Sequence, residues 1–337
     1  MFNETTDYLR AENFNRSIEI ALRGNFNKEE AIMRVTRRLA ACPEGVLYIR
    51  KSDKGVSFYT LDDEGRQKYL RKDSELLYGL ARRKYLELLL RNLQEVNFRS
   101  GTRSKKQEAL LVKLQNLIER YDAGNLDLAE IVLTSAQCHW YRSRFFQKRN
   151  NTTYENDGLE ISRQRTSSGE LVRSKSERDI GEALEHYAIP YHYEERLQID
   201  VTELVNGLQK HLAEKGQLDG PLFHYNGYIC VWNVPKEFEW MNAPGSLWKT
   251  YDDRTGSVTI YVDFNYKFAA GDIGVWEHEG LCTQPRYRMN ASERIFVIRS
   301  LGVVKAENML FTFEDDVNER TKLYEIVERD ILPRVWF

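Results

Sequence analysis

Apolar residues recur every three or four positions between about residue 11 and residue 41, in EIALRG, which ends at a glycine, and in KEEAIMRVTRRLAA, which ends before Cys42-Pro43. That spacing predicts two helices, with the breaker residues as their stops. The period then drops to two. GVLYIRKSDKGVSFYTL holds strand-like runs over residues 46–51 and 56–61 around Ser-Asp-Lys-Gly, whose turn chemistry predicts a β-hairpin. Helical spacing returns in LLYGLARRKYLELLLRNLQ, continues over residues 108–121, and ends in a shorter stretch over 125–134.

Between residues 147 and 170 the pattern dissolves. QKRNNTTYENDGLEISRQRTSSGE is poor in large apolar side chains and rich in Asn, Thr, Ser and Gly, which predicts a linker between an α-rich domain, residues 1–146, and a second domain, residues 171–337. Basic residues gather around its end: Arg163, Arg165, Arg173, Lys175 and Arg178. They suit a phosphate backbone, and equally the solvated charges of a loop and a helix entry. Ser174-Lys-Ser-Glu177 then opens the helix SERDIGEALEHYA as a capping box, which accounts for Glu177 without any catalytic role. Pro190 follows that helix, and YHYEERLQI reads as a strand.

The strongest β signal is SVTIYVDFNYKFAAGDIGVWEHEG, residues 257–280. Residues 258–264 are β-branched and aromatic almost throughout, so the run reads as a buried strand, and its only formal charge is Asp263 near its end. Residues 272–278 form a second run in which Ile273, Val275 and Glu277 share one face while Gly274, Trp276 and His278 share the other. Adjacent strands would set Asp263 and Glu277 side by side. Like charges held together at a strand edge are costly. Either nearby Arg or Lys side chains pair with them, or a divalent cation takes both.

A helix over TQPRYRMNASERIFVIRSLG, a strand over residues 309–313 and a final helix in LYEIVERDIL complete an α/β layer arrangement with a mixed sheet. Residues 200–254 hold a predicted helix near 202–215 and the strand-like GYICVWN. Trp232, Trp240, Trp248 and Trp276 make residues 230–280 rich in tryptophan, suited to satellite core packing or to stacking on bases.

Composition narrows the function classes. Forty-nine basic against 51 acidic residues leave a formal net charge of −2, so any nucleic-acid binding must come from a local patch. Cys42, Cys138, Cys230 and Cys282 lie far apart, which suggests neither a zinc site nor a disulfide framework. No charged leader precedes an apolar run and no apolar stretch is long enough to span a bilayer, so the sequence predicts a cytoplasmic protein with no membrane partner.

VRSKSERDIGEALEHYAIPYHYEERL, then IYVDF, then VWEHEGLCTQPRYR, with NMLFTFEDD downstream, resembles a bacterial and phage branch of the PD-(D/E)XK nuclease superfamily. PEGVLYIRKSDKGVSFYTL and RQKYLRKDSELLYGLARRKYLELLL resemble the hairpin and long helix of the same proteins. The resemblance implies a restriction-endonuclease-like core, a mixed sheet flanked by helices, with residues 200–254 as an insertion. It implies a Mg²⁺- or Mn²⁺-dependent endonuclease hydrolysing DNA to 5′-phosphate and 3′-hydroxyl ends. Glu177, Asp263 and Glu277 would be its metal-binding acids. Arg163, Arg165, Arg173 and Arg178 would line the nucleic acid, and a protein partner or a second copy would meet the N-terminal domain. Two departures stand out: Val262 replaces the motif proline, and Glu279 stands where the motif lysine is expected. Lys175, His278 and Arg294 are the candidates to replace that lysine. The rival expectation is a degenerate nuclease fold serving as a nucleic-acid-binding or protein-interaction module.

Overall fold

The computed structural model describes residues 8–98, 103–143, 164–200, 213–214, 223–225, 228–230, 257–280 and 306–337. The expected helix over TQPRYRMNASERIFVIRSLG, Arg163, Arg294, Trp232, Trp240, Trp248 and most of the expected insertion lie outside them. Among the described residues no helix is long and apolar enough to cross a membrane.

The N-terminal part is helical around one small sheet. Helices α1 (Ala11–Ala21), α2 (Lys28–Ala40), α3 (Glu75–Glu95) and α4 (Lys105–Ala123) bury Phe14, Ile18, Val35, Leu77, Tyr85, Leu89, Leu114 and Tyr121. Asn27 and Ser104 cap α2 and α4 through their side chains. Two short helices, α5 (Leu128–Val132) and α6 (Ser135–Ser143), follow. The expected hairpin is a three-stranded antiparallel sheet, β1 (Tyr48–Ser52), β2 (Gly55–Leu61) and β3 (Gln67–Leu70). Its third strand lies in RQKYLR, which the resemblance had assigned to the long helix. Helix α3 starts only at Glu75, after its cap residue Ser74.

Residues 164–172, which include the end of the expected linker, are not irregular: β4 (Gln164–Arg165) and β5 (Leu171–Val172) pair as a two-stranded hairpin. Its turn is locked by Glu185, which accepts from the Ser168 amide at 2.9 Å and from the Ser168 hydroxyl at 2.5 Å. Helix α7 (Lys175–His186) follows, with the complete Ser174–Glu177 capping box that its sequence predicts.

The C-terminal sheet is mixed. Its strands β6 (Tyr191–Asp200), β9 (Ser257–Lys267), β10 (Ile273–Glu279) and β11 (Met309–Phe313) lie in the order β11-β10-β9-β6. Only the β10–β11 pair is parallel. The short β7 (Phe223–Tyr225) and β8 (Tyr228–Cys230) pair separately. Strand β9 runs three residues beyond the predicted end, so Asp263 lies within it rather than near its terminus.

The pleat gives this sheet two different faces. Tyr191, Tyr193, Phe264, Tyr266 and Trp276 are buried, and α7 packs on their side: the Tyr191 hydroxyl donates to Glu185 at 2.8 Å. On the other side Trp140 of α6 stacks on His192 at 3.9 Å, and Gln137 donates to the Lys267 carbonyl at 2.9 Å. The sheet is therefore the middle layer of a helix–sheet–helix arrangement. After β11 come a helical turn (Glu314–Val317), a helix (Arg320–Ile326), a π-helical stretch (Val327–Ile331) and a last helix (Leu332–Trp336).

Candidate functional site

Pairing of β9 with β10 sets Trp276 against Phe264 and Val275 against Asn265, so the next rung brings Glu277 opposite Asp263. There the two acids replace the backbone ladder. The Asp263 amide donates to Glu277 Oε1 at 3.3 Å, and the His278 amide donates to Asp263 Oδ2 at 2.8 Å. Each carboxylate thus takes an amide of the neighbouring strand, which fixes both side chains at one place on the sheet. Both residues are buried. Glu279, in the position of the expected lysine, is buried too.

The β6–β9 register extends this row. Tyr193 pairs with Phe264 and Glu195 with Val262, so Glu194 falls on the rung of Asp263. Its backbone is left-handed, φ 47°, a conformation that costs a non-glycine residue about 1–3 kcal/mol and persists only where surroundings hold it. The holding contact is an ion pair from Arg173 Nη2 to Glu194 Oε1 at 2.6 Å. Buried Glu194, Asp263 and Glu277 therefore lie in a line across three adjacent strands.

Glu194 was missed in the sequence reading, although the signal was there. A carboxylate within the apolar, aromatic start of YHYEERLQI raises the same question that singled out Asp263.

Arg173 links that row to helix α7. Burial works to lower its pKa, but Tyr193, Glu177 and Asp263 together outweigh burial and hold it above the ordinary value. The same neighbourhood pushes the Tyr193 hydroxyl up, through burial first and the Glu177 carboxylate second.

Glu177 is occupied differently from its expected role. Its Oε2 accepts from the Arg173 amide at 2.8 Å, the Ser174 amide at 2.9 Å and the Tyr193 hydroxyl at 2.9 Å. These bonds fasten the start of α7 to β6 on the tyrosine-rich face of the sheet. The three expected acids are thus not a ring: Asp263 and Glu277 are neighbours, while Glu177 serves the helix cap. Among the described residues no group of three or more His, Cys, Asp or Glu is gathered where it could hold a metal ion. The pair alone matches the one or two carboxylates by which Mg²⁺ is commonly held, water and phosphate oxygens filling the other positions.

The candidates for the missing lysine fare as follows. His278 points to the α7 side, opposite Glu277, as strand alternation requires. Its Nδ1 lies 3.2 Å from Thr312 Oγ1 and its Nε2 lies 3.3 Å from Glu314 Oε2. Trp276 Nε1 donates to the same Thr312 oxygen at 2.8 Å, and the Ser176 hydroxyl donates to Glu314 at 3.0 Å. This network ties β10, β11 and the first turn of α7 together. Lys175, the first residue of α7, is exposed.

Of the expected phosphate-binding arginines, Arg165 is exposed and donates to the Gly169 carbonyl at 2.9 Å, whereas Arg178 is engaged with Asp179 at 2.8 Å and Gln164 at 2.8 Å. With Arg173 bound to Glu194, at least two of the four already serve acids or amides within the fold. Comparisons of this chain with protein-family models, with curated proteins and with solved structures find no match.

Proposed function

We propose that the Asp263–Glu277 pair is the centre of a metal-dependent phosphodiesterase acting on nucleic acid, with DNA as its substrate. The observation that carries this reading is the pair itself: two buried carboxylates on adjacent strands, each anchored by an amide of the other strand. Two adjacent buried carboxylates still repel one another with one amide donor each, and a divalent cation held by both would remove that repulsion. Asp263 and Glu277 would hold the divalent cation, which would supply an activated water and neutralise charge on the scissile phosphate.

The residues of the chain have separate tasks in this reading. Asp263 and Glu277 hold the cation. Arg173 keeps Glu194 and the neighbouring acids in place. Glu177 and the His278–Thr312–Glu314 network position the start of α7 and β10, and both act through structure rather than on substrate.

The test is cleavage of plasmid, linear duplex, single-stranded DNA and RNA in Mg²⁺ or Mn²⁺. Asp263→Asn and Glu277→Gln should each abolish cutting while the fold survives. The same divalent cations should raise the melting temperature of the parent and not of either variant.

A second reading has two observations in its favour: Glu177 is committed to the cap, and Glu279 stands where a cation would be expected. On that reading the domain is a degenerate nuclease fold that binds nucleic acid or a protein, and neither cleavage nor melting responds to metal.

A further inference from the structure

The three-stranded sheet β1–β3 turns one face to the N-terminal core, where Val56, Phe58, Thr60 and Leu70 are buried. Strand alternation sends the intervening residues outward. Register then aligns Tyr48, Tyr59 and Tyr69 as one row across the three strands. Tyr48 is 36% exposed and Tyr69 53%, and Leu61 at 42%, with Val46 at 52% just ahead of β1, extends the patch. Three of the nine large apolar side chains exposed among the described residues therefore belong to this one small sheet, and Val46 lies just ahead of it. Such a concentration on an otherwise polar surface marks a binding face.

Charge says what it binds. Arg50 lies on the tyrosine face with its guanidinium 5.1 Å from the centre of the Tyr59 ring. Lys54 lies in the β1–β2 turn and Lys72 just after β3, both exposed, whereas Lys51 and Lys68 pair with Val56 and Thr60 on the opposite face of the sheet. Arg66 and Arg71 are matched by Asp62, Glu64 and Asp73. Arg50, Lys54 and Lys72 then outnumber Asp53 and Asp63, the remaining acids of residues 46–73 apart from that matched set.

Exposed aromatic rings beside an excess of cations complement a chain that carries both flat faces and negative charge. Single-stranded nucleic acid is such a chain, because its unpaired bases offer the π-faces that a duplex buries. We propose that the outer face of β1–β3 binds single-stranded nucleic acid. Tyr48 and Tyr69 each stack one base, the planar guanidinium of Arg50 over Tyr59 sits between them, and Lys54 and Lys72 meet the phosphates. Strand spacing sets the outer tyrosines about 10 Å apart, which gives a footprint of about three nucleotides. This face lies on a different sheet from the Asp263–Glu277 pair, and the assignment stands without the hydrolytic reading.

The experiment is fluorescence anisotropy on the full chain in EDTA, so that no cleavage contributes. The probes are labelled DNA and RNA single strands of mixed sequence about fifteen nucleotides long, and the same DNA as a duplex. Single strands should bind more tightly than duplex, and the difference between the DNA and RNA arms identifies which of the two the face prefers. Tyr48→Ala and Tyr69→Ala should each weaken binding on the order of tenfold, whereas Tyr48→Phe and Tyr69→Phe, which keep the ring, should retain it. Lys54→Gln should lower the slope of affinity against salt by about 0.7, one phosphate contact. Three results would overturn the assignment: no single-strand binding, duplex binding of equal strength that survives the tyrosine changes, or self-association that the alanine variants abolish with no effect on nucleic-acid affinity.

Discussion

At the scale of single residues, His186 shows how neighbouring helices set a protonation state. His186, at the end of α7, accepts a hydrogen bond at Nδ1 from Arg16 at 3.2 Å, while the same guanidinium nitrogen donates to the His186 carbonyl at 3.1 Å. Its ring stacks on Tyr324 at 4.7 Å. Burial, then the charges of Arg16 and Arg320, push its pKa down from 6.5 to about 4. The folded chain therefore keeps His186 neutral between about pH 6.5 and 4, where the unfolded chain binds a proton. Stability that His186 contributes is complete above pH 6.5 and is lost as pH falls toward 4. Melting curves across that range should show the decline in the parent and a shallower one in His186→Gln; equal slopes would remove His186 from the account.

The residue scale also shows what a sequence can carry. Asp263 and Glu277 were legible because a carboxylate inside an apolar run is conspicuous and strand alternation then sets its face. Glu194 was less so: its rung follows from the β6–β9 register, and its left-handed backbone and ion pair with Arg173 exist only in the assembled structure.

At the scale of elements, strand and helix positions followed local pattern closely, and the departures have local causes. Gln67–Leu70 contains one large buried residue, Leu70, too little for a period-two signal, and it became a strand because β2 offered it an edge. Residues 164–172 form a hairpin for a similar reason: Glu185 supplies a carboxylate to the Ser168 turn from a helix that follows in sequence. Neither partner is visible within the segment itself.

The β9–β10 hairpin, which carries the acid pair, depends on a different local detail. Gly274 faces Tyr266 across the strands, and a Cβ there would run into the Tyr266 ring and lie 2.9 Å from Phe268 Cζ. Gly274→Ala should therefore destabilise the protein by about 1–3 kcal/mol through overpacking. Denaturant unfolding would read the loss, and an unchanged midpoint would mean that the aromatic rings yield freely.

At the scale of the whole molecule, the N-terminal helices and the C-terminal sheet contribute to one hydrophobic core, which runs from Phe14 and Ile18 through Tyr191 and Phe264 to Trp336 and Phe337. The last helix makes the most direct connection. Trp336 donates its Nε1 proton to Ser17 Oγ at 2.5 Å and presents its edge to Phe14 at 5.7 Å, while Phe337 lies 4.6 Å from Phe26. Gln137 of α6 adds a polar tie, donating to the Val335 carbonyl at 3.0 Å and to that of Lys267 in β9. Two parts that share buried aromatic contacts and buried hydrogen bonds cannot separate without exposing both, so their unfolding should be coupled. Heat or denaturant should produce a single transition when followed by helix content and by tryptophan fluorescence together. Trp336→Ala removes the ring and leaves Ser17 without its indole donor, and should lower that single transition by about 3–5 kcal/mol. Should the two probes instead separate in the parent, or should Trp336→Ala shift only one of them, the two parts would be independent domains.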